Sequence, residues 1–149
     1  MHNSLNQINH QLVLPLWRSL LFVPAHQPRF IDRAHTRGAD ALILDLEDSV
    51  PSEAKAGARA GVVAAATRVN RGGADVLVRI NASWRLAVRD LEAVINPAIH
   101  SVVVPKVGSA EQLRAISEVI TELEHEAGMP PGSTGLLAQI ESPAALFRI

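Results

Sequence analysis

Three carboxylates stand within four positions of the segment ALILDLEDSV, residues 41–50, where an apolar run ends. They are Asp45, Glu47 and Asp48. Crowded carboxylates raise one another's pKa unless a cation lies close to them, so the segment predicts a metal ion or an arginine as a neighbour. A simpler interpretation stays open, in which Asp45 or Asp48 caps a loop or pairs with Lys55 or Arg59.

Arg79 is the second group that indicates chemistry, because it stands in the otherwise apolar segment VLVRI, residues 76–80. A buried guanidinium is unfavourable without an anion. The anion is either the cluster of three carboxylates or a bound carboxylate or enolate oxygen.

Glu141 follows the apolar segment 136–140 and precedes a helix start, where a carboxylate can also serve as a helix N-terminal anion.

The elements that must position these side chains form a repeated pattern of strands and helices. Apolar runs begin at residues 19, 41, 76, 101 and 136, so consecutive starts are 22, 35, 25 and 35 residues apart. Each interval has room for a strand, a crossover helix and two loops. Nearly continuous apolar runs are typical of strands buried on both faces, so the sequence predicts an α/β fold with a parallel sheet.

Capping signals divide the segments between these strands. Gly38 is expected to end a first helix over residues 28–37, as a glycine at the C′ position does. The remaining helix starts are marked by capping residues. They are Ser52 before residues 53–69, Asp90 for residues 90–95, Ser109 with Gln112 for a long helix, and Ser142 followed by Pro143.

Polar residues follow the predicted strands, at the end where parallel α/β sheets bind ligands. Carboxylates that face cations across such a rim can hold a divalent ion and an anionic substrate together. Two architectures fit the pattern. A (β/α)8 barrel takes about 250 residues, whereas a doubly wound sheet of five strands fits 149 residues better.

The composition limits the class of partner. The chain is 48% hydrophobic and 19% charged, with a net charge of -1 and no run of Lys or Arg that indicates nucleic-acid or membrane binding. Its start lacks the features of a signal peptide, so we expect a cytoplasmic protein. The chain has no cysteine, so a metal would need oxygen or imidazole ligands, which favours Mg²⁺.

Five ordered motifs resemble the citrate lyase β-subunit family, which includes malyl-CoA and citramalyl-CoA lyases. They are RSLLFVPA (18–25), ADALILDLEDSVPSEAKAGAR (39–59), VRIN (78–81), VVVPKV (102–107) and QIESPAAL (139–146). The resemblance implies a (β/α)8 TIM barrel, of which this chain holds about the first five βα units. Residues 18–149 then form a partial barrel domain, and residues 1–17 an N-terminal extension.

The resemblance also implies a site at the carboxyl rim that holds Mg²⁺. Glu141 matches a metal ligand, and a second ligand, an Asp, is expected beyond Ile149. Arg79 and Glu47 match catalytic residues that also bind substrate, with Asp45 and Asp48 in support. Arg18 matches a substrate-binding residue near the thioester arm, and Lys106 belongs to a common Pro-Lys pair to which we assign no role.

The activity implied by the resemblance is an aldolase-type carbon-carbon lyase that depends on Mg²⁺. It cleaves a citryl or malyl thioester into an acetyl thioester and a 2-oxo acid such as oxaloacetate. CoA or an acyl carrier protein carries the thioester. Two alternatives stay open: a catalytically inactive truncated fragment that binds or assembles, and a related malyl-CoA or citramalyl-CoA lyase or thioesterase. An open sheet has unpaired edges, so we also expect a homo-oligomer.

Overall fold

A computed structural model describes residues 15–148. It contains one parallel sheet of five strands, in which each strand pairs with the next along the chain. A doubly wound sheet reverses its strand order at a switch point, so the sequential order is that of a barrel and confirms the barrel-type α/β fold. The strands are β1 (Leu20–Pro24), β2 (Ala41–Asp45), β3 (Asp75–Arg79), β4 (Ser101–Val104) and β5 (Gly135–Ala138).

A helix follows each strand, as the sequence predicted, but several helix boundaries differ from the prediction. The long helix predicted after Ser52 is a 3₁₀ turn followed by two short helices that meet at Gly61. Glycine is a poor residue for a helix interior, which explains a break at this position. The helices are α1 (Pro28–Ala34), α2 (Lys55–Ala60), α3 (Val62–Val69), α4 (Trp84–Val94), α5 (Ala110–Glu126) and α6 (Pro143–Leu146).

The helix after β3 corrects the prediction that Asp90 is an N-cap. Helix α4 begins at Trp84, and Asp90 lies in its interior with a fully buried side chain. Ala87, Leu91 and Val94 are buried on the same helix, three or four positions from Asp90 or from one another. This spacing places Asp90 on the face of α4 that packs on the core, so it needs partners inside the protein.

The predicted caps at Ser109 and Ser142 are confirmed. Ser109 Oγ accepts the N–H of Gln112 at 3.3 Å, and Gln112 Oε1 accepts the N–H of Gly108 at 2.9 Å, so side chains at both positions satisfy free donors at the start of α5. Ser142 Oγ accepts the N–H of Ala145 at 3.2 Å at the start of α6. Gly38 has φ +71°, but α1 ends at Ala34 with His35 as its C-cap, so Gly38 lies beyond the C′ position that the sequence predicted.

The two faces of the sheet bury different sets of residues. The face that packs against the helices includes Leu42, Leu44, Val76, Val78, Val102 and Val104. The opposite face carries a smaller buried cluster of Ala41, Ile43, Leu77 and Val103. Because side chains alternate along a strand, Asp45 and Arg79 lie on this second face, two positions after Ile43 and Leu77. That face is the interior of a barrel-type sheet.

Trp17, the last residue of the predicted extension, lies before β1 and packs against the sheet. Its indole Nε1 donates to Asp75 Oδ2 at 2.7 Å, and its ring packs edge-on against His100 with centroids 5.3 Å apart. It also contacts the buried cluster on the interior face. Trp17 therefore covers the amino end of that face. Residues 1–14 of the predicted extension lie outside the described part of the chain.

The sheet has an exposed edge at β1. Leu20, Leu21 and Phe22 expose 37%, 36% and 44% of their surface. A groove of about 670 Å³ lies along this edge, between β1 and α1, and three arginines of the α1 region line it together with Phe30.

Within residues 15–148, no helix has the length and apolar character that crossing a bilayer requires.

Candidate active site

An arginine-carboxylate pair forms at the carboxyl ends of β2 and β3. Asp45 ends β2 and Arg79 ends β3, and the parallel register places them side by side. Arg79 Nε donates to Asp45 Oδ1 at 2.8 Å, and Arg79 Nη2 donates to Asp45 Oδ2 at 2.7 Å. Burial alone would raise the pKa of Asp45, but hydrogen bonds from Arg79 and Ser49 outweigh burial and lower that pKa to about 2. Asp45 is therefore ionised.

Asp45 also shapes the loop that carries the other two carboxylates. Its Oδ1 accepts the backbone N–H of Glu47 at 2.8 Å, and its Oδ2 accepts the backbone N–H of Ser49 at 3.0 Å. A short acidic side chain that binds main-chain groups two residues later is typical of a tight turn. Asp45 is therefore a structural anchor that holds both Arg79 and the Glu47 loop in place.

Arg79 keeps one nitrogen free of hydrogen bonds with the described residues. Its Nη1 lies 3.6 Å from Glu47 Oε2 and 3.9 Å from Asp48 Oδ2, which are ion-pair distances. The guanidinium also lies over the ring of Phe22, with 4.7 Å between its carbon and the ring centroid. The hydrogen bonds to Asp45 raise the pKa of Arg79 despite its burial. Arg79 can therefore offer a fixed positive charge and one donor nitrogen to a ligand.

Glu47 is a buried carboxylate with an unused oxygen. It is 5% exposed, and its Oε1 lies 2.9 Å from the ammonium of Lys106. Its Oε2 has no hydrogen-bond donor among the described residues. A buried carboxylate oxygen without a donor is unusual in a folded protein. This oxygen is available for a proton, a metal ion or a water molecule.

Lys106 joins the carboxylates after β2 to Glu141 after β5. Its backbone N–H donates to Glu141 Oε1 at 2.8 Å, and its Nζ lies 3.0 Å from Asp48 Oδ1 as well as close to Glu47. Hydrogen bonds to Glu47 and Asp48 raise the pKa of Lys106. Its φ of 52° is left-handed, which is uncommon for a residue with a Cβ. No role was predicted for this residue from the sequence.

A second polar network holds the Glu47 loop from the helix side. Lys55 Nζ donates to the carbonyls of Leu46 at 3.0 Å and Glu47 at 2.7 Å, and to Asn81 Oδ1 at 2.6 Å. Asp90 Oδ2 accepts both the N–H and the side-chain amide of Asn81. The alternative in which Lys55 or Arg59 pairs with Asp45 or Asp48 is therefore wrong.

Arg59 supports this network instead. Its Nε donates to Asp90 Oδ1 at 2.6 Å, and the side chain of Asp90 is fully buried. The network links α2 and α4 to the loops that follow β2 and β3. A signal for it exists in the sequence, because Asp90 falls on the apolar face of an amphipathic helix and therefore needed a buried partner.

Arg18 is not part of this rim. It precedes β1, and its Nη2 donates to Asp40 Oδ1 at 2.9 Å, just before β2 begins. A strand of five residues spans about 15 Å, so the sheet separates Arg18 from the carboxyl end. Arg18 therefore lies apart from the carboxyl rim, and its role near the thioester arm stays a prediction. The structure brings together the other five predicted residues: Asp45, Glu47, Asp48, Arg79 and Glu141.

The donor set at the rim suits a hard cation only in part. Its ligands are carboxylate oxygens, which Mg²⁺ prefers, and one of them, Glu47 Oε2, lacks a donor. The net charge of the rim also suits a bound cation, because four carboxylates face only two cations, Arg79 and Lys106. However, no three His, Asp or Glu side chains of residues 15–148 lie close enough together to enclose a metal ion. The described residues would therefore hold a hard cation only together with further ligands such as water or substrate oxygens.

The fold and this rim define a barrel-type α/β protein with a charged site at the carboxyl ends of its strands. Residues 18–149 match the family model described as HpcH/HpaI aldolase/citrate lyase. The chain belongs to this family. The β subunit of citrate lyase from Escherichia coli (strain K12) is 40% identical over 134 residues, which cover 88% of this chain and 44% of that protein.

Two further comparisons agree with this assignment. An L-malyl-CoA/beta-methylmalyl-CoA lyase of Cereibacter sphaeroides is 33% identical over 115 residues, covering 74% of this chain and 36% of that protein. A Haloferax volcanii malate synthase, solved as a magnesium/glyoxylate complex, superposes with a TM-score of 0.77 at 20% identity and covers 88% of this chain and 44% of that one. This last likeness concerns the fold. The chain spans under half the length of these relatives.

Proposed function

We propose that this chain carries the carboxyl-rim site of a carbon-carbon lyase that acts on an acyl thioester of an organic acid. The cleavage yields an acetyl thioester and a 2-oxo acid such as oxaloacetate. The observation that carries the proposal is the convergence of Glu47, Arg79 and Glu141, which lie on three separate segments and are joined through Lys106. Family membership gives the reaction class.

Arg79 is proposed to bind the anionic part of the substrate. Asp45 holds two of its nitrogens and Phe22 stacks against its plane, so the guanidinium is fixed before a ligand arrives. A fixed charge needs no reorganisation when negative charge develops on an enolate oxygen during cleavage. Arg79 Nη1, the nitrogen without a hydrogen bond, is the donor that this role requires.

Glu47 is proposed to move the proton that the cleavage requires. In the retro-aldol direction a hydroxyl proton leaves as the carbon-carbon bond breaks, and a proton then reaches the acetyl carbanion. Glu47 is suited to accept a proton because its Oε2 is buried and has no donor among the described residues. Asp48, which is exposed, is proposed to support substrate binding at the mouth of the same site.

Mg²⁺ is proposed as the cofactor, with Glu141 as one ligand. When bound, such an ion polarises the carbonyl oxygen of a 2-oxo acid and stabilises developing negative charge. The charge at the rim supports this proposal, since an anionic substrate would meet an excess of carboxylates unless a further cation arrived with it. Glu47 and Asp48 lie close enough to Lys106 to contribute further oxygens, and water or the substrate would complete the shell.

The proposal is tested by incubating the purified chain with citryl-CoA, malyl-CoA or citramalyl-CoA and Mg²⁺. Release of an acetyl thioester and a 2-oxo acid is expected, with loss of at least about tenfold in kcat/KM for Arg79→Lys and Glu47→Gln. Arg114→Ala is the matched control, because Arg114 forms an exposed ion pair with Glu111 on α5. Circular dichroism checks that each variant is folded. Absence of turnover with all three thioesters from a folded chain contradicts the proposal.

A second candidate function is a binding or assembling domain without activity of its own. The observation that favours it is that no three potential ligands among the described residues can enclose a metal. In this case titration calorimetry should detect binding of oxaloacetate or malate that Arg79→Lys weakens, while no thioester is cleaved. The assay above separates the two functions, since only a lyase releases a 2-oxo acid.

Self-association is proposed as a property of either function. The edge of β1 that faces away from β2 pairs with no strand of residues 15–148 and exposes Leu20, Leu21 and Phe22. Exposed apolar residues at such an edge favour association. We expect a homo-oligomer in sedimentation velocity at micromolar concentration. Replacement of Leu21 and Phe22 by Lys and Thr, respectively, should shift the population toward monomer. A wild-type chain that stays monomeric over this range contradicts the expectation.

A further inference from the structure

Lys106 is the residue on which three carboxylates of the rim meet. Its ammonium lies 2.9 Å from Glu47 Oε1 and 3.0 Å from Asp48 Oδ1, while its backbone N–H donates to Glu141 Oε1 at 2.8 Å. The left-handed φ of 52° places the N–H and the side chain on these different partners. A strained backbone conformation of this kind persists only where surrounding contacts stabilise it, and such residues cluster at functional sites.

The rim would carry a larger excess of negative charge without Lys106. Four carboxylates face the guanidinium of Arg79 and the ammonium of Lys106, which leaves a formal charge of two minus four, or -2. Glu47 is 5% exposed and its Oε2 still lacks a donor among the described residues. A divalent ion on these carboxylates would therefore approach the ammonium within a few ångströms, where like charges repel.

We propose that the ammonium of Lys106 is a built-in cation that competes with a divalent metal ion for the carboxylates of this rim. Binding of the ion displaces the ammonium from Glu47 and Asp48, and departure of the ion lets it return. This inference rests on the proposed function, because it concerns the same ion at the same rim. The acidic loop after β2 consequently stays ordered without metal. Part of the binding free energy of the ion offsets the loss of the contacts that the ammonium makes with Glu47 and Asp48.

The side chain of Lys106 can make this movement without disturbing Glu141. Its side chain is 52% exposed, so solvent is accessible to the displaced ammonium. The bond to Glu141 comes from the backbone N–H and does not depend on the ammonium. The charge of Lys106 and its backbone geometry can therefore be tested separately.

Three substitutions separate these two contributions. Lys106→Met removes the charge and keeps most of the side chain, whereas Lys106→Gly removes the charge and favours the left-handed backbone. Lys106→Arg keeps the charge. Titration calorimetry with Mg²⁺, and electron paramagnetic resonance with Mn²⁺, measure the affinity of each variant at pH 7.5. Lys106→Met and Lys106→Gly are expected to bind the ion about tenfold more tightly than the wild type, and Lys106→Arg with an affinity within about twofold of the wild type.

Thermal unfolding gives a readout that is independent of affinity. In EDTA, Lys106→Met should unfold at a lower temperature than the wild type, because the carboxylates lose their counter-ion. Saturating Mg²⁺ should raise the unfolding temperature of this variant by more than that of the wild type. Equal responses to Mg²⁺ in the two proteins overturn the inference.

A Glu141→Gln variant distinguishes failure of this inference from failure of the proposed function. If Glu141→Gln weakens ion binding while Lys106→Met and wild type bind equally, the proposed metal site stands and the competition is wrong. If the ion does not bind, or binds regardless of Glu141, the metal part of the proposed function fails and the inference fails with it. Tightening in Lys106→Met without tightening in Lys106→Gly also overturns it.

Discussion

The two ends of the sheet use carboxylates in different ways. At the amino end, Asp40 accepts the backbone N–H groups of Arg18 and Ser19, both at 2.9 Å, together with donors from both side chains. At the carboxyl end, Glu47, Asp48 and Glu141 share contacts with one lysine, and a buried oxygen of Glu47 lacks a donor among the described residues. Nearby donors satisfy the carboxylate at the amino end, whereas the carboxylates at the carboxyl end are not all satisfied.

This difference separates a carboxylate that nearby donors satisfy from a group of carboxylates that still has capacity for a further cation. A carboxylate whose donors are all nearby main-chain and side-chain groups fixes the loop before a strand. A group of carboxylates that shares too few cations, next to a residue with φ of 52°, is a less favourable arrangement that a bound cation would relieve. Barrel-type α/β proteins place their active sites at the carboxyl end.

The largest effect is expected from breaking the pair that anchors the carboxyl end. Asp45→Asn should lower the free energy of unfolding by about 3–5 kcal/mol, because it leaves the buried guanidinium of Arg79 without its carboxylate. Urea unfolding followed by circular dichroism measures this loss. The double variant with Arg79→Met should be less destabilised than the sum of the single variants. A loss under about 1 kcal/mol for Asp45→Asn would contradict the anchoring role.

The same pair predicts how stability changes in acid. The pKa of Asp45 is about 2 in the folded chain and near its ordinary value of 3.8 in the unfolded one. A lowered pKa stabilises the fold above pH 3.8, and this contribution disappears as the pH falls toward 2. The difference corresponds to about 2 kcal/mol. Urea unfolding at pH 5, 4, 3 and 2 should show a smaller loss for Asp45→Asn than for wild type, and identical pH slopes would refute this.

Much of the fold could be predicted because its signals are local. Apolar runs predicted strand starts at 19, 41, 76, 101 and 136, and the strands begin at 20, 41, 75, 101 and 135. Capping at Ser109 and Ser142 was also readable, since the cap and its donor lie three residues apart. The sequential strand order was not local information. It came from the resemblance to a family.

The rim was predictable in position but not in its contacts. The rule that parallel strands present ligand-binding residues at their carboxyl ends brought Asp45, Arg79 and Glu141 together. It also placed Lys106 at the rim, two residues after β4, but it did not predict the contacts of this residue, because the left-handed backbone that directs them arises from tertiary structure. Asp90 was assigned to a helix start because aspartate is a common N-cap, although its spacing from Leu91 and Val94 matched the buried face.

A smaller effect is expected at the amino end. Asp40→Asn should lower the free energy of unfolding by less than Asp45→Asn does, since Asp40 is partly exposed and an amide oxygen still accepts the backbone donors. Its effect should decrease at 0.5 M NaCl, because salt screens the ion pair with Arg18. Urea unfolding at two salt concentrations provides the measurement. A loss as large as that of Asp45→Asn would contradict the smaller contribution expected from this partly exposed ion pair.

The smallest effect is expected for Arg18→Ala, which also tests whether the ends act independently. The Arg18 side chain is 88% exposed, and its backbone N–H to Asp40 survives the substitution. Stability should hardly change, and the affinities for Mg²⁺ and for a malyl or citryl thioester should stay within about twofold of wild type, because the sheet separates Arg18 from the rim. Thioester affinity that falls tenfold would mean that the substrate arm reaches the amino end. In that case the substrate site would extend over both ends of the sheet, and the two ends would not act independently.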